Sequence, residues 1–234
     1  MSIIKPAVIV SAAAALCLAL ASMARVNAAE PAVAVPAATG KAQLASTAQS
    51  ETVVLAGGCF WGVQGVFQHT QGVLRAVSGY AGGKQGTATY EMVSSGSTGH
   101  AESVQVTYDP RKISFDRILQ IYFSVAHDPT QLNRQGPDRG TQYRSAIFTG
   151  SDQQKQAAEA YIAQINAAKV FSSPIVTQVA PLQGFYAAED YHQDYATLHP
   201  NQPYIAYNDL PKISNLQKMY PAIYRADPVL VFKR

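Results

Sequence analysis

Cys59 is the residue in this chain with the strongest claim on chemistry. It stands at a junction. Thr52–Ala56 (TVVLA) is a β-branched apolar run that reads as a buried strand. Gly57-Gly58 breaks it, and Phe60–Thr70 then places Trp61, Val63, Val66 and Phe67 at helical spacing. A cysteine at a helix start meets the unpaired N–H groups of the first turn and the positive end of the helix dipole. Both favour thiolate over thiol, and a free cysteine pKa of about 8.5 can fall by several units in such a setting. The glycines let other atoms approach the sulfur. The competing reading is an inert buried cysteine. Phe60 and Trp61, the only tryptophan, are either core aromatics or the wall of an apolar pocket beside a nucleophile.

The cysteine count sharpens this. The chain has two cysteines, Cys17 and Cys59. Cys17 lies in Met1–Ala28, where Lys5 precedes the apolar run Ala7–Met23 and Val26-Asn27-Ala28 offers the small residues of a cleavage site. That pattern predicts a cleaved secretory signal peptide and export, placing the protein in a bacterial periplasm; an uncleaved membrane anchor is the alternative. Cleavage leaves Cys59 alone, so the mature chain has no internal disulfide and no cysteine-based zinc site, and its leftover thiol is reactive or pairs with another molecule. Residues 29–50, rich in Ala, Pro, Ser and Thr, read as a flexible linker.

The elements that must hold Cys59 follow in order. After the first helix, Leu74–Ser78 reads as a strand, and Tyr80–His100, rich in Gly, Ser and Thr, as a long functional loop. Ser103–Tyr108 alternates as a half-buried strand, with Glu102 just before it. Ser114 is a good N-cap for a helix carrying Ile118, Leu119, Tyr122 and Val125. Arg144–Thr149 reads as a short strand, Ser151 caps a helix over Asp152–Lys169, and Ile175–Ala180 is a further strand. This order predicts one α+β domain, an α/β sandwich, over 51–198. Residues 199–234, rich in Pro, Tyr and Asn, read as an irregular tail wrapped on it.

Four blocks in this order resemble the A-type peptide methionine sulfoxide reductases (MsrA): Gly57–Gly62 (GGCFWG), Thr98–Glu102 (TGHAE), His127–Ser145 (HDPTQLNRQGPDRGTQYRS) and Ala188–Tyr195 (AEDYHQDY). The resemblance implies a ferredoxin-like mixed sheet with flanking helices, and repair of oxidised proteins and peptides by reduction of the S epimer of methionine sulfoxide. It also implies Cys59 as nucleophile and Glu102 as acid, Phe60 and Trp61 around the S-methyl, Tyr90 and Tyr143 bonding the sulfoxide oxygen, and Asp138 as a second acid. Glu102 must stay protonated near neutral pH to donate, which requires burial. Many relatives carry resolving cysteines in a Gly-rich tail. This tail has none and holds Tyr204, Tyr207, Asp209, Lys212 and Tyr220 instead. Cys59 sulfenic acid is therefore expected to be reduced by an external thiol, whether a small thiol or a glutaredoxin-like or thioredoxin-like protein, in a monomer with no bound cofactor or metal.

Composition excludes other partners. Hydrophobic residues at 47% against 14% charged suit a packed core. The formal charge of +3 falls to +1 without Met1–Ala28, which holds Lys5 and Arg25 and no acidic residue. A near-neutral surface without Lys/Arg runs argues against nucleic acid. His100, His127 and His192 keep a Cys–His hydrolase in competition. A lone exported thiol also fits a redox-sensing or binding module. His127-Asp128-Pro129 reads as a cap and turn at a helix end, and His192 as a residue that packs or hydrogen-bonds structurally.

Overall fold

The computed structural model describes residues 30–39 and 48–232, so the expected signal peptide, Cys17 and part of the expected linker lie outside the described residues. The first strand, β1 (Glu51–Ala56), is apolar on both sides because both sides are covered: Val53 and Leu55 face the helices, while Val54 and Ala56 join Ala81, Ala101, Ala146 and Phe148 on the opposite side. Helix α1 (Phe60–Gln68) leads to β2 (Val73–Ala81). The loop that follows contains a short helix, α2 (Tyr90–Val93), before β3 (Ala101–Tyr108). Glu102 is thus inside β3 rather than before it, opposite Tyr80 of β2.

Helix α3 (Phe115–Ile121) is capped by Ser114 Oγ, which accepts from the Arg117 N–H at 3.2 Å, and continues through a wide turn over Tyr122–Ala126. A small hairpin, β4 (Arg134–Gln135) and β5 (Asp138–Arg139), precedes β6 (Ala146–Thr149). Helix α4 (Asp152–Ala167) begins at Ser151, whose Oγ accepts from the Gln154 N–H at 3.2 Å. Strands β7 (Gln178–Pro181) and β8 (Phe185–Ala187) complete a six-stranded sheet in the order β7-β6-β1-β3-β2-β8. All neighbours are antiparallel except β6 and β7. The inner path β1-α1-β2-β3-α3-β6, with β3 between β1 and β2, is the ferredoxin-like split arrangement, and the α+β expectation holds. Its consequence for chemistry is placement: the start of α1 and the start of β3 meet at one end of the sheet.

Two segments differ from the sequence reading. Glu30–Thr39 is no free tether. Its extended backbone leaves N–H and C=O groups open, and α3 and α4 supply their partners: the Val33 N–H donates to Ser124 O (2.9 Å), Gln120 to Val35 O (2.8 Å) and the Tyr161 hydroxyl to Pro36 O (2.6 Å). Val35 is buried in the main core. The segment after His199 is largely helical rather than irregular. Helix α5 (Tyr195–Leu198) is a single turn, and after it a wide turn over Ile205–Asp209 runs directly into α6 (Leu210–Met219). Pro211, which reads as a breaker, sits in the first turn of α6 where its missing N–H costs nothing. Ile205, Ile213 and Leu216 are buried. Ile213 packs on α1 so closely that a Cβ at Gly65 would stand 2.8 Å from its Cδ1.

Truncating Val35 to Ala removes two buried methyl groups and should cost about 1.5 kcal/mol. Urea denaturation checks this, and a midpoint equal to that of the wild type would show that the strap adds nothing to stability.

Candidate active site

Cys59 is the N-cap residue of α1, with φ −55° and ψ 124°. Gly58 before it adopts φ +85°, and a Cβ there would lie 2.6 Å from the Gln135 side chain, so only glycine satisfies both the turn and the packing. No side chain caps the helix from the Cys59 position. Instead the Phe60 N–H donates to Glu102 Oε2 at 3.1 Å, so β3 supplies the carboxylate that satisfies the first exposed amide of α1.

Glu102 is only 3% exposed. Burial raises its carboxyl to about 8; the Phe60 N–H pulls the other way, while Asp138 and Asp209 add to the rise. A group in this state holds its proton at neutral pH and can donate it. Cys59 departs from the sequence expectation. Burial pushes its thiol well above the ordinary range, the charges of Asp209, Glu102 and Asp138 push further, and only the Trp61 N–H favours thiolate. The helix start acts as expected, but desolvation and three acidic neighbours outweigh it.

An open cavity of about 220 Å³ joins Cys59, Phe60, Trp61, Tyr90, Glu102, Asp138, Tyr143, Gln202 and Tyr204. All seven residues singled out in the sequence therefore line one space. Tyr90 opens α2, whose Tyr90 N–H donates to Glu189 Oε1 at 2.9 Å; Glu189 Oε2 accepts from the Tyr80 hydroxyl at 2.8 Å and ties that loop to β2. Tyr143 ends a tight turn over Thr141–Tyr143, and Asp138 comes from the β4–β5 hairpin. The hydroxyl of Tyr204 donates to Asp138 Oδ2. Trp61 is fixed on three sides. Its ring stacks on Tyr195 (3.9 Å between centroids, 10° between planes), Tyr204 meets it edge-on, and its Nε1–H donates to His192 Nδ1 at 3.2 Å.

No histidine lines this cavity. His100 donates from Nε2 to Lys84 O (3.0 Å), and its Nδ1 accepts from the Gly83 N–H (3.3 Å). His127 is buried, donating from Nδ1 to Tyr122 O (3.1 Å) with Nε2 at 2.7 Å from Ser145 Oγ. Both hold backbone in place, as the turn reading of His127 anticipates. A Cys–His hydrolase lacks its base here.

Sequence reasoning missed Gln202 and Tyr204 as walls of the cavity, and the support of Trp61 by His192 and Tyr195. Asp209 and Lys212, noted only as present in the tail, are both buried behind the site. Nothing local marks these residues, because only the return of the tail across α1 brings them to Cys59.

A buried thiol and a protonated carboxyl facing an aromatic-walled cavity can pair a sulfur nucleophile with a proton donor, an arrangement that does not by itself name a substrate. Comparison with known proteins makes the class specific. A family model described as peptide methionine sulfoxide reductase matches residues 51–223. Peptide methionine sulfoxide reductase MsrA 2 of Mesorhizobium japonicum is 61% identical over 182 residues, covering 78% of this chain and 93% of that protein. Its namesake in Synechocystis is 48% identical over 171 residues, covering 73% and 80%. Among solved structures, reduced Mxr1 of Saccharomyces cerevisiae superposes with a TM-score of 0.63 at 33% identity, covering 67% of this chain and 90% of that one. Methionine sulfoxide reductase A of Corynebacterium diphtheriae does so with 0.57 at 35%, covering 74% and 88%. The chain belongs to the peptide methionine sulfoxide reductase family, as an MsrA-type oxidoreductase of protein repair.

His192→Phe keeps the ring but removes the acceptor of the Trp61 indole. Losing one hydrogen bond of about 1 kcal/mol should raise KM roughly fivefold and shift the emission of this single tryptophan. Unchanged emission and unchanged KM would together refute the supporting role of His192.

Proposed function

We propose that this protein reduces the S epimer of free and peptide-bound methionine sulfoxide, with Cys59 attacking sulfur and Glu102 protonating the departing oxygen. The observation that carries the reading is the placement of a protonated, buried Glu102 on the first amide of the helix that begins at Cys59. Phe60 and Trp61 hold the S-methyl group against apolar ring surface. Tyr90 and Tyr143, whose hydroxyls burial keeps protonated, donate to the sulfoxide oxygen. Asp138, held by Tyr204, orients groups on the far wall.

The atoms balance without a cofactor. Methionine sulfoxide and the Cys59 thiol become methionine and Cys59 sulfenic acid: the oxygen moves to the cysteine sulfur, the Glu102 proton goes to that oxygen, and the proton given up by the thiol restores Glu102. Cys59 is the free cysteine among the described residues, so two equivalents of an external thiol return it to the thiol and release water and a disulfide. The reductant in this reading is a thioredoxin-like or glutaredoxin-like protein or a small thiol. The enzyme works as a monomer outside the cytoplasm, its leader removed; N-terminal sequencing of the exported chain checks the last point.

Two substitutions test the chemistry. In a single turnover without reductant, wild-type protein should release one equivalent of methionine from the S epimer and gain the mass of one oxygen. Cys59→Ser should release none, and Glu102→Gln should slow the step by about 10²–10⁴-fold with the fold intact. An intramolecular disulfide in the intact oxidised protein, or a Glu102→Gln variant with wild-type rates, would sink the scheme.

The pH dependence follows from the same groups. The reactive form holds one proton between them, on Glu102 and not on Cys59. Below about pH 8 both are protonated, because Glu102 titrates near 8 and Cys59 above its ordinary value. The kcat/KM for sulfoxide should therefore rise as pH increases through about 8, when the site loses its first proton, and fall when it loses the second. A profile already declining below that pH would contradict the assignment.

A further inference from the structure

We infer that Asp209, delivered by the C-terminal segment, is a positioning residue whose buried negative charge keeps the protons of the site on Cys59 and Glu102. The inference rests on the roles given to those two residues above.

Asp209 is 0% exposed, yet neither of its carboxylate oxygens has a hydrogen-bond partner. Its cationic neighbour among the described residues is Lys212, one turn further along and also buried, with Nζ 3.7 Å from Asp209 Oδ1. The carboxylate faces α1. A Cβ at Gly62 would lie 2.2 Å from Asp209 Oδ1 and 3.1 Å from Lys212 Cδ, so glycine in the first turn of α1 is what admits the pair. The positive end of α1 that favours a Cys59 thiolate therefore has a buried carboxylate set against it. Lys212 lowers the carboxyls of Asp209, Glu30 and Asp138 alike, so a single ammonium stands among three acids.

The charged and titratable groups facing this centre are few. Asp209, Glu102 and Asp138 act on Cys59; Asp138 and Asp209 act on Glu102; Lys212 and Asp138 act on Asp209; and the hydroxyls of Tyr90, Tyr143 and Tyr204 line the same cavity. Asp209 is the foremost of the charges on Cys59. Burial raises its own carboxyl to about 6, with Lys212 opposing, so the charge is present at neutral pH. A like charge nearby raises the proton affinity of every acid around it. For this reaction that has two uses. Glu102 retains the proton that the sulfoxide oxygen needs, and Cys59 stays a thiol, slow to react with stray oxidants, until substrate occupies the pocket.

The test uses purified protein carrying Asp209→Asn, and Asp209→Asn with Lys212→Met so that no unpaired ammonium is left buried if the single variant does not fold. Circular dichroism checks folding. Cys59 alkylation by iodoacetamide, measured against pH without substrate, should show a midpoint lower by about one unit in each folded variant, which is roughly tenfold faster alkylation at a fixed pH below the midpoint. Both limbs of the pH profile for methionine sulfoxide reduction should move to lower pH as well, a shift that loss of packing alone would not produce. A folded variant with an unmoved alkylation midpoint, beside a wild type that reduces methionine sulfoxide, overturns the inference and leaves the proposed function standing. A wild type inactive on the sulfoxide overturns that function, and with it the use assigned here to the Glu102 proton.

Discussion

Everything at this site depends on competition for one helix N-terminus. The first turn of α1 offers unpaired amides and positive potential to whatever lies in front of it. Glu102 takes the Phe60 N–H, the Cys59 sulfur takes that of Trp61, and Asp209 stands beside Gly62. A solvated helix start would stabilise the anionic forms of all three. Here desolvation works against all three charges and prevails at Glu102 and Cys59, whereas Asp209, raised to about 6, stays ionised at neutral pH. The result is a site that stores protons. Acid chemistry at neutral pH follows from that storage and needs no special residue type.

The rest of the fold keeps the competitors in place. β1 is paired on both edges, with β3 and with β6, and that double ladder fixes the point where α1 begins. Pairing of Glu102 with Tyr80 across β3 and β2 fixes the acid. Glu189 bridges Tyr80 and the amide of Tyr90, so the loop that carries one wall is registered to β2, the strand paired with the one that carries the acid. The opposite wall is a hairpin, tied down through Gln135 against Gly58 and through Asp138 against Tyr204.

Much of this was legible in the sequence, for identifiable reasons. Strand and helix periods are local, so TVVLA, the α1 pattern and the two serine caps declare themselves within a few residues. The cysteine at the strand-to-helix junction is local too. Residues such as Tyr90, Tyr143 and Asp138 carry no local mark among thirteen tyrosines and ordinary turn residues, and only the resemblance picked them out. Long-range effects escaped. The polar, proline-bearing stretch at 30–39 looks unstructured until α3 and α4 are present to bond its carbonyls. The tail looks irregular until α1 gives Ile213 and Leu216 something to cover. The sign of the Cys59 shift escapes for the same reason: the dipole is visible in a sequence, whereas the depth of burial and the return of Asp209 are not.

The two ends of the described chain meet at this site. Glu30 accepts from the amides of Asp128 (3.0 Å) and Gly136 (2.9 Å), bracing the hairpin from the N-terminal side, and a small cavity beside the hairpin is lined by Glu30, Tyr204 and Lys212 together. Glu30 stands outside the cavity of Cys59 and steadies the hairpin that brings Asp138 to one wall, while Gln202 and Tyr204 supply another. The surroundings of the thiol are thus set by segments far from it in sequence, and a change at Glu30 would be felt at Asp138 through the hairpin.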